Sequence, residues 1–211
     1  PFYDHLQAVE RHYGGLRRYF EYLESREDQD GLLTLSGLGD WLAPEPTEEA
    51  NIRDALYYRF AQVMAVLAGA LNRPEEEARY AAKAGDIRAA YNRRYYSPRL
   101  CTDKSCGYCG TCYYVGQGAN AIPLAVDIPD EGDRSRIVEK LLYELTESMG
   151  GLRLTTGFIG TKALFEALTE IGRDDLVLAL LRQTNIPPTG LCCGMEPPPY
   201  GNGGSSGRIM R

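Results

Sequence analysis

Tryptophan occurs only once in these 211 residues and histidine twice, and no run of apolar residues approaches bilayer length. The missing run excludes a helix that spans a membrane. Alternating β-branched and aromatic stretches are nearly absent, which excludes a sheet-built domain. There is no basic excess either: 23 Lys and Arg face 29 Asp and Glu, for a net charge of −6. The cations are scattered rather than clustered, so the chain has no electrostatic footprint for nucleic acid. The start shows no charged region followed by an apolar one, hence no signal-peptide pattern. Phe2-Tyr3-Asp4-His5-Leu6 already reads as helix, as if the chain opened inside a domain, and a signal further upstream stays an open alternative. Six cysteines, four packed between Cys101 and Cys112 and two adjacent at Cys192-Cys193, are too few and too uneven for a disulfide framework. Reduced thiols favour a cytoplasmic setting.

What is present is helical periodicity. With 44% hydrophobic and 25% charged residues, the composition suits a single domain with a core of its own. Leu6, Val9, Tyr13, Leu16, Tyr19, Phe20 and Leu23 recur at helical spacing and predict a helix over about 3–26. Thr47, followed by Glu48 and Glu49, reads as the N-cap of a second helix reaching Leu71. Pro74 opens a third, ending near 95. Further helices are expected at 117–126, 134–148, 160–171 and 175–184, the last two split by Gly172-Arg173-Asp174. Helices in antiparallel succession suggest an all-α array of hairpins, and no fixed-period repeat points to a solenoid.

Two glycine-flanked loops stand out: Gly37-Leu38-Gly39-Asp40-Trp41-Leu42 and Leu154-Thr155-Thr156-Gly157-Phe158-Ile159-Gly160-Thr161. A carboxylate accepts from vicinal hydroxyls and an indole covers the apolar face of a sugar ring, so Asp40 and Trp41 together point to a carbohydrate site. The alternatives are plain structural duties: Asp40 as a cap or turn residue, Trp41 as a core anchor, and the threonine turn as a helix cap.

Leu32-Leu33-Thr34 leading into Gly39-Asp40-Trp41-Leu42-Ala43-Pro44, then Ala89-Ala90-Tyr91-Asn92-Arg93-Arg94-Tyr95-Tyr96, then Thr155 to Thr161, form an ordered set. The set resembles the catalytic domain of bacterial α-L-rhamnosidases of glycoside hydrolase family 78, over roughly residues 1–190. The resemblance implies a partial (α/α)6 toroid of six-hairpin type, a rhamnose-containing carbohydrate as substrate and no cofactor. It further implies that Asp40 hydrogen-bonds rhamnose hydroxyls, that Trp41 helps to wall the pocket, and that the turn from Thr155 to Phe158 supports the same face. The family's mechanism is inverting, with an acid and a base set roughly 6.5–9.5 Å apart. Neither the family's Asp-Glu-Arg-x-Gly-Trp acid motif nor its Trp-Glu-x-Trp base motif occurs in this chain.

Residues 191–211 are a Pro/Gly/Ser-rich tail with too little apolar surface to bury. Re-read from the last base of each codon between Leu191 and Gly204, synonymous choices exist that spell Met-Leu-Arg-Asn-Gly-Ala-Thr-Thr-Ile-Trp-Glu-Arg-Trp. That string resembles the family's general-base segment, in its proper place. The expectation is a frameshift near Gly190, so Glu196 is not read as catalytic, nor Cys192-Cys193 as a redox pair. No catalytic residue is assigned to this chain, which is expected to be inactive alone. The other readings are a non-catalytic helical module that binds a carbohydrate or a protein, and a six-hairpin glycosidase of different sugar specificity.

Remaining features invite simpler readings. Cys101, Cys106, Cys109 and Cys112 have zinc-like spacing but crowd one short loop, so free thiols are the default and no metal is assigned. His5 and His12 read as surface or packing residues, and Tyr57, Tyr58, Tyr95, Tyr96, Tyr113 and Tyr114 chiefly as helix packing, with the lining of the sugar pocket as the alternative for a few of them.

Overall fold

The computed structural model describes residues 6–96, 113, 116–147 and 151–183. Among the described residues seven helices follow one another: α1 (Leu6–Glu24), α2 (Glu49–Ala70), α3 (Pro74–Tyr95), α4 (Gln117–Ala125), α5 (Glu131–Thr146), α6 (Phe158–Glu170) and α7 (Asp174–Leu181). Among the described residues the only strand-like feature is an isolated bridge between Glu27 and Leu33. The all-α expectation therefore holds, with element ends shifted by a few residues. The four clustered cysteines, Cys192-Cys193, His5, Tyr114 and the tail after 190 lie outside the described residues.

Tight corners fix the hairpins. After α2, Asn72 takes the left-handed conformation (φ 53°), its N–H bonds the Gly69 carbonyl at 3.0 Å, and the Arg73 N–H bonds that of Ala68 at 3.0 Å. After α6, Gly172 (φ 73°) repeats the arrangement, with Gly172 N–H to Thr169 and Arg173 N–H to Leu168. Asp127 (φ 61°) does so after α4, with Ile128 N–H on the Pro123 carbonyl. These are Schellman caps, which satisfy the last carbonyls of a helix and reverse the chain. The next helix starts directly at Pro74 or Asp174, so α2 packs along α3 and α6 along α7.

The core is one continuous cluster running from Tyr13 in α1 to Leu180 in α7. Phe20 sits at the centre of its N-terminal part, with ring centroids 5.0 Å from Tyr80, 5.5 Å from Phe60 and 5.6 Å from Tyr57. Tyr57, Tyr58, Tyr95 and Tyr113 are buried, as packing residues should be, while Tyr96 is half-buried and His12 exposed. Helix α4 is buried along nearly its whole length and contacts α2, α5 and α6, which makes it the hub of the C-terminal part.

One cap differs from the sequence expectation. Thr47 is not the N-cap of α2; that position belongs to Glu48, with no side-chain capping bond. Thr47 is buried instead, with its hydroxyl so close to Gly118 that a Cβ there would lie 2.3 Å from it. Packing of the loop against α4 takes precedence over capping.

Candidate functional site

The loop between α1 and α2 reaches across the molecule to the start of α6. Asp40 is nearly fully buried, and its carboxylate accepts three backbone N–H groups: Gly157 on Oδ2 at 2.7 Å, and Ile159 and Gly160 on Oδ1 at 2.9 Å each. These are the unpaired donors of the first turn of α6, where the helix dipole also favours a negative charge. The N-cap position, Gly157, has no side chain to do this. The cap is supplied by a residue 117 positions earlier in the chain.

Around that carboxylate there is no space to spare. A Cβ on Gly157 would lie 2.3 Å from the Trp41 carbonyl oxygen and 2.6 Å from that of Asp40, and one on Gly160 would lie 2.3 Å from Asp40 Oδ2. The backbone adds two further ties, Phe158 N–H to the Trp41 carbonyl at 3.1 Å and Glu45 N–H to the Thr155 carbonyl at 3.1 Å. Gly39 (φ 62°) and Leu42 (φ 63°) are both left-handed, and for leucine that is a strained conformation held only because its surroundings fix it.

The loop thereby pushes apolar groups outward. Trp41 is 60% exposed and Phe158 65% exposed, and their rings stack at a centroid distance of 5.4 Å with planes 17° apart. Leu38 and Leu42 of the same loop are exposed as well. Trp41 is not a core anchor. Exposed aromatic and aliphatic groups on a strained, tightly braced loop mark a contact surface.

Behind the loops lies a polar base. Thr155 donates its hydroxyl to Glu45 Oε2 at 3.1 Å and its N–H to Gln117 Oε1 at 3.1 Å, while Gln117 Nε2 donates to the Arg153 carbonyl at 2.7 Å. Thr156 and Thr161 share a hydroxyl hydrogen bond of 2.8 Å. Deeper still, Glu144 accepts from Gly116 N–H at 3.0 Å and Asn120 Nδ2 at 3.2 Å and pairs with Lys140 at 3.3 Å. Burial pushes its carboxyl above the ordinary glutamate range, against the opposing pull of Gly116 N–H and Lys140. This pair fixes the start of α4 under the site.

The sequence singled out both loops, and the structure brings them together. It did not single out Glu45 or Gln117, nor the stacking of Phe158 on Trp41: a glutamate between two prolines and a glutamine at a helix start have no spacing signature. The other matched motifs are scaffold. Leu32 and Leu33 are buried, and Leu33 N–H donates to the buried Asp54 carboxylate at 3.2 Å, which also accepts from Tyr95 at 2.6 Å. Tyr91 donates to Asn51 Oδ1 at 2.8 Å.

Comparison with known proteins places this architecture. Residues 1–193 match the family model described as the bacterial alpha-L-rhamnosidase 6 hairpin glycosidase domain. The chain is 25% identical over 187 residues to an alpha-L-rhamnosidase of Formosa agariphila, covering 85% of this chain and 19% of that protein. It is 26% identical over 192 residues to one from an Alteromonas species, covering 86% and 20%. Among solved structures, the alpha-L-rhamnosidase of Dictyoglumus thermophilum superposes with a TM-score of 0.74 at 22% identity, over 85% of this chain and 20% of that one. The Streptomyces avermitilis alpha-L-rhamnosidase complexed with L-rhamnose gives 0.72 at 25% identity, over 88% and 17%. The chain thus spans about a fifth of the length of its curated relatives, and its helical hairpins are part of an (α/α)6 toroid. Its fold, its ordered loops and this match together mean that the chain belongs to the bacterial alpha-L-rhamnosidase six-hairpin glycosidase domain family.

Proposed function

We propose that this chain carries part of the sugar-binding surface of an α-L-rhamnosidase whose complete form hydrolyses terminal α-L-rhamnosides with inversion. The observation that supports this best is the loop pair itself: an exposed indole, Trp41, held on a braced loop in a domain of rhamnosidase type. Trp41 supplies an apolar face for the C–H side of a pyranose ring. Asp40 belongs to the same site. With three amides on its two oxygens it has about one acceptor direction left for a sugar hydroxyl, so it contributes mainly by holding the loop.

Hydrolysis needs a general acid and a general base on opposite sides of the glycosidic bond. The absence of both family glutamate motifs from the sequence supports an inactive chain. The base is absent, in this reading, because residues 191–211 are out of frame, a view in keeping with a family match that runs only to residue 193. An aryl α-L-rhamnoside assay on the purified chain tests the first point, and no release of aglycone is expected. Sequencing the gene from the Thr184 codon tests the second: the shifted frame should spell Trp-Glu-Arg-Trp. Rhamnoside turnover by the 211-residue chain overturns the reading of inactivity, and codons that do not spell the segment overturn the frameshift.

A further inference from the structure

Both aromatic rings of the site stand in solvent, yet each is tied down at its backbone. Phe158 follows Gly157 directly, so the Asp40 carboxylate on Gly157, Ile159 and Gly160 fixes the backbone on both sides of the phenyl ring. Trp41 follows Asp40 directly, and its carbonyl receives the Phe158 N–H at 3.1 Å. The two side chains therefore spring from a single hydrogen-bonded junction, with no room at Gly157 or Gly160 for it to shift. Their near-parallel stacking at 5.4 Å and 17° follows from that junction rather than from burial. An exposed tryptophan by itself samples several rotamers; one with a phenyl ring against it loses most of that freedom before any ligand arrives.

We infer that Phe158 is a positioning residue for sugar binding: its ring backs one face of the Trp41 indole and presents the other, ordered in advance, to the apolar face of a deoxyhexose. The inference rests on the sugar-site reading above and adds a residue to it. Phe158 reaches the sugar only through Trp41, and its effect is on affinity rather than on chemistry. Ordering a ring before binding removes a cost that each binding event otherwise carries. An offset aromatic pair is worth about threefold to tenfold in such an equilibrium.

Trp41 is the only tryptophan, so its emission reports on this ring alone in the whole chain. Three proteins suffice: the wild-type chain, Phe158→Ala and Phe158→Tyr. Phe158 is mostly solvent-exposed, so neither change should disturb folding, and far-ultraviolet dichroism checks that. Without ligand, Phe158→Ala should raise acrylamide quenching and lower the fluorescence anisotropy of Trp41, with Phe158→Tyr restoring both. In titrations with L-rhamnose followed by the same emission and by calorimetry, Phe158→Ala should bind about threefold to tenfold more weakly and Phe158→Tyr like wild type. Unchanged quenching and anisotropy in Phe158→Ala overturn the positioning role, whatever the sugar does. Changed ring order with undiminished L-rhamnose affinity overturns the link between order and binding. A wild-type chain that shows no response to L-rhamnose by either method overturns the sugar-site reading itself, and the ligand-free measurements then decide the ring stack separately.

Discussion

At the scale of single residues, the site depends on two glycines and one carboxylate whose duties differ from what their types suggest. Gly160 lies inside a helix, where glycine costs about 1 kcal/mol relative to alanine, and it is needed because Asp40 Oδ2 occupies the space of its side chain. Gly160→Ala should therefore destabilise the chain by about 2 kcal/mol, through overpacking and loss of the cap, despite its better helix propensity. Urea unfolding followed by Trp41 emission checks this, and a stabilised variant would sink the clamp. Away from the site, Glu76 accepts from the Tyr13 hydroxyl at 2.5 Å, and that bond first, with nearby Arg73 second, holds its carboxyl below the ordinary glutamate value of 4.5 against the opposing pull of burial. A carboxyl depressed in the folded state contributes stability above its unfolded value and loses it as pH falls through the folded value. The urea midpoint of wild type should thus drop on acidification below about pH 4.5, and Glu76→Gln should flatten part of that slope.

At the scale of elements, the helices were legible because their apolar spacing is a local property. The capping was only half legible. Asn72 and Gly172 announce the hairpin corners through residue types that tolerate positive φ, and both turn out to be left-handed caps. Asn72→Gly is expected to be neutral or slightly stabilising, whereas Asn72→Ala should cost about 1 kcal/mol, since a Cβ is disfavoured there. Thermal unfolding of the two variants side by side gives the comparison. The N-terminus of α6 was not legible in this way. Gly157 looks like a weak cap, and nothing near it in sequence reveals that Asp40 fills the role. Thr47 shows the reverse, a residue of good capping type drawn into packing against Gly118.

At the scale of the whole molecule, α1–α3 and α4–α7 are tied together at the site loops and again between α3 and the turn after α4. The second tie includes Arg88, whose Nε donates to the Ile128 carbonyl at 2.8 Å and whose Nη2 donates to that of Pro129 at 2.6 Å. Charge-assisted bonds of this kind are worth about 2 kcal/mol together, so Arg88→Ala should lower the urea midpoint by a corresponding amount. Because it loosens one tie only, far-ultraviolet dichroism and Trp41 emission should then report separate midpoints, and coincident curves in the variant would count against two separate ties. The sequence by itself determined the helical class, the places of the helices, the two loops and the family, since each is written in spacing, residue type or ordered motif. Only the tertiary structure decided that Asp40 caps a helix 117 residues away, that Trp41 faces solvent against Phe158, and that Glu45 and Gln117 brace them. The reason is physical: unpaired donors at a helix end take whichever acceptor packing brings to them, and no local pattern in the chain encodes that meeting.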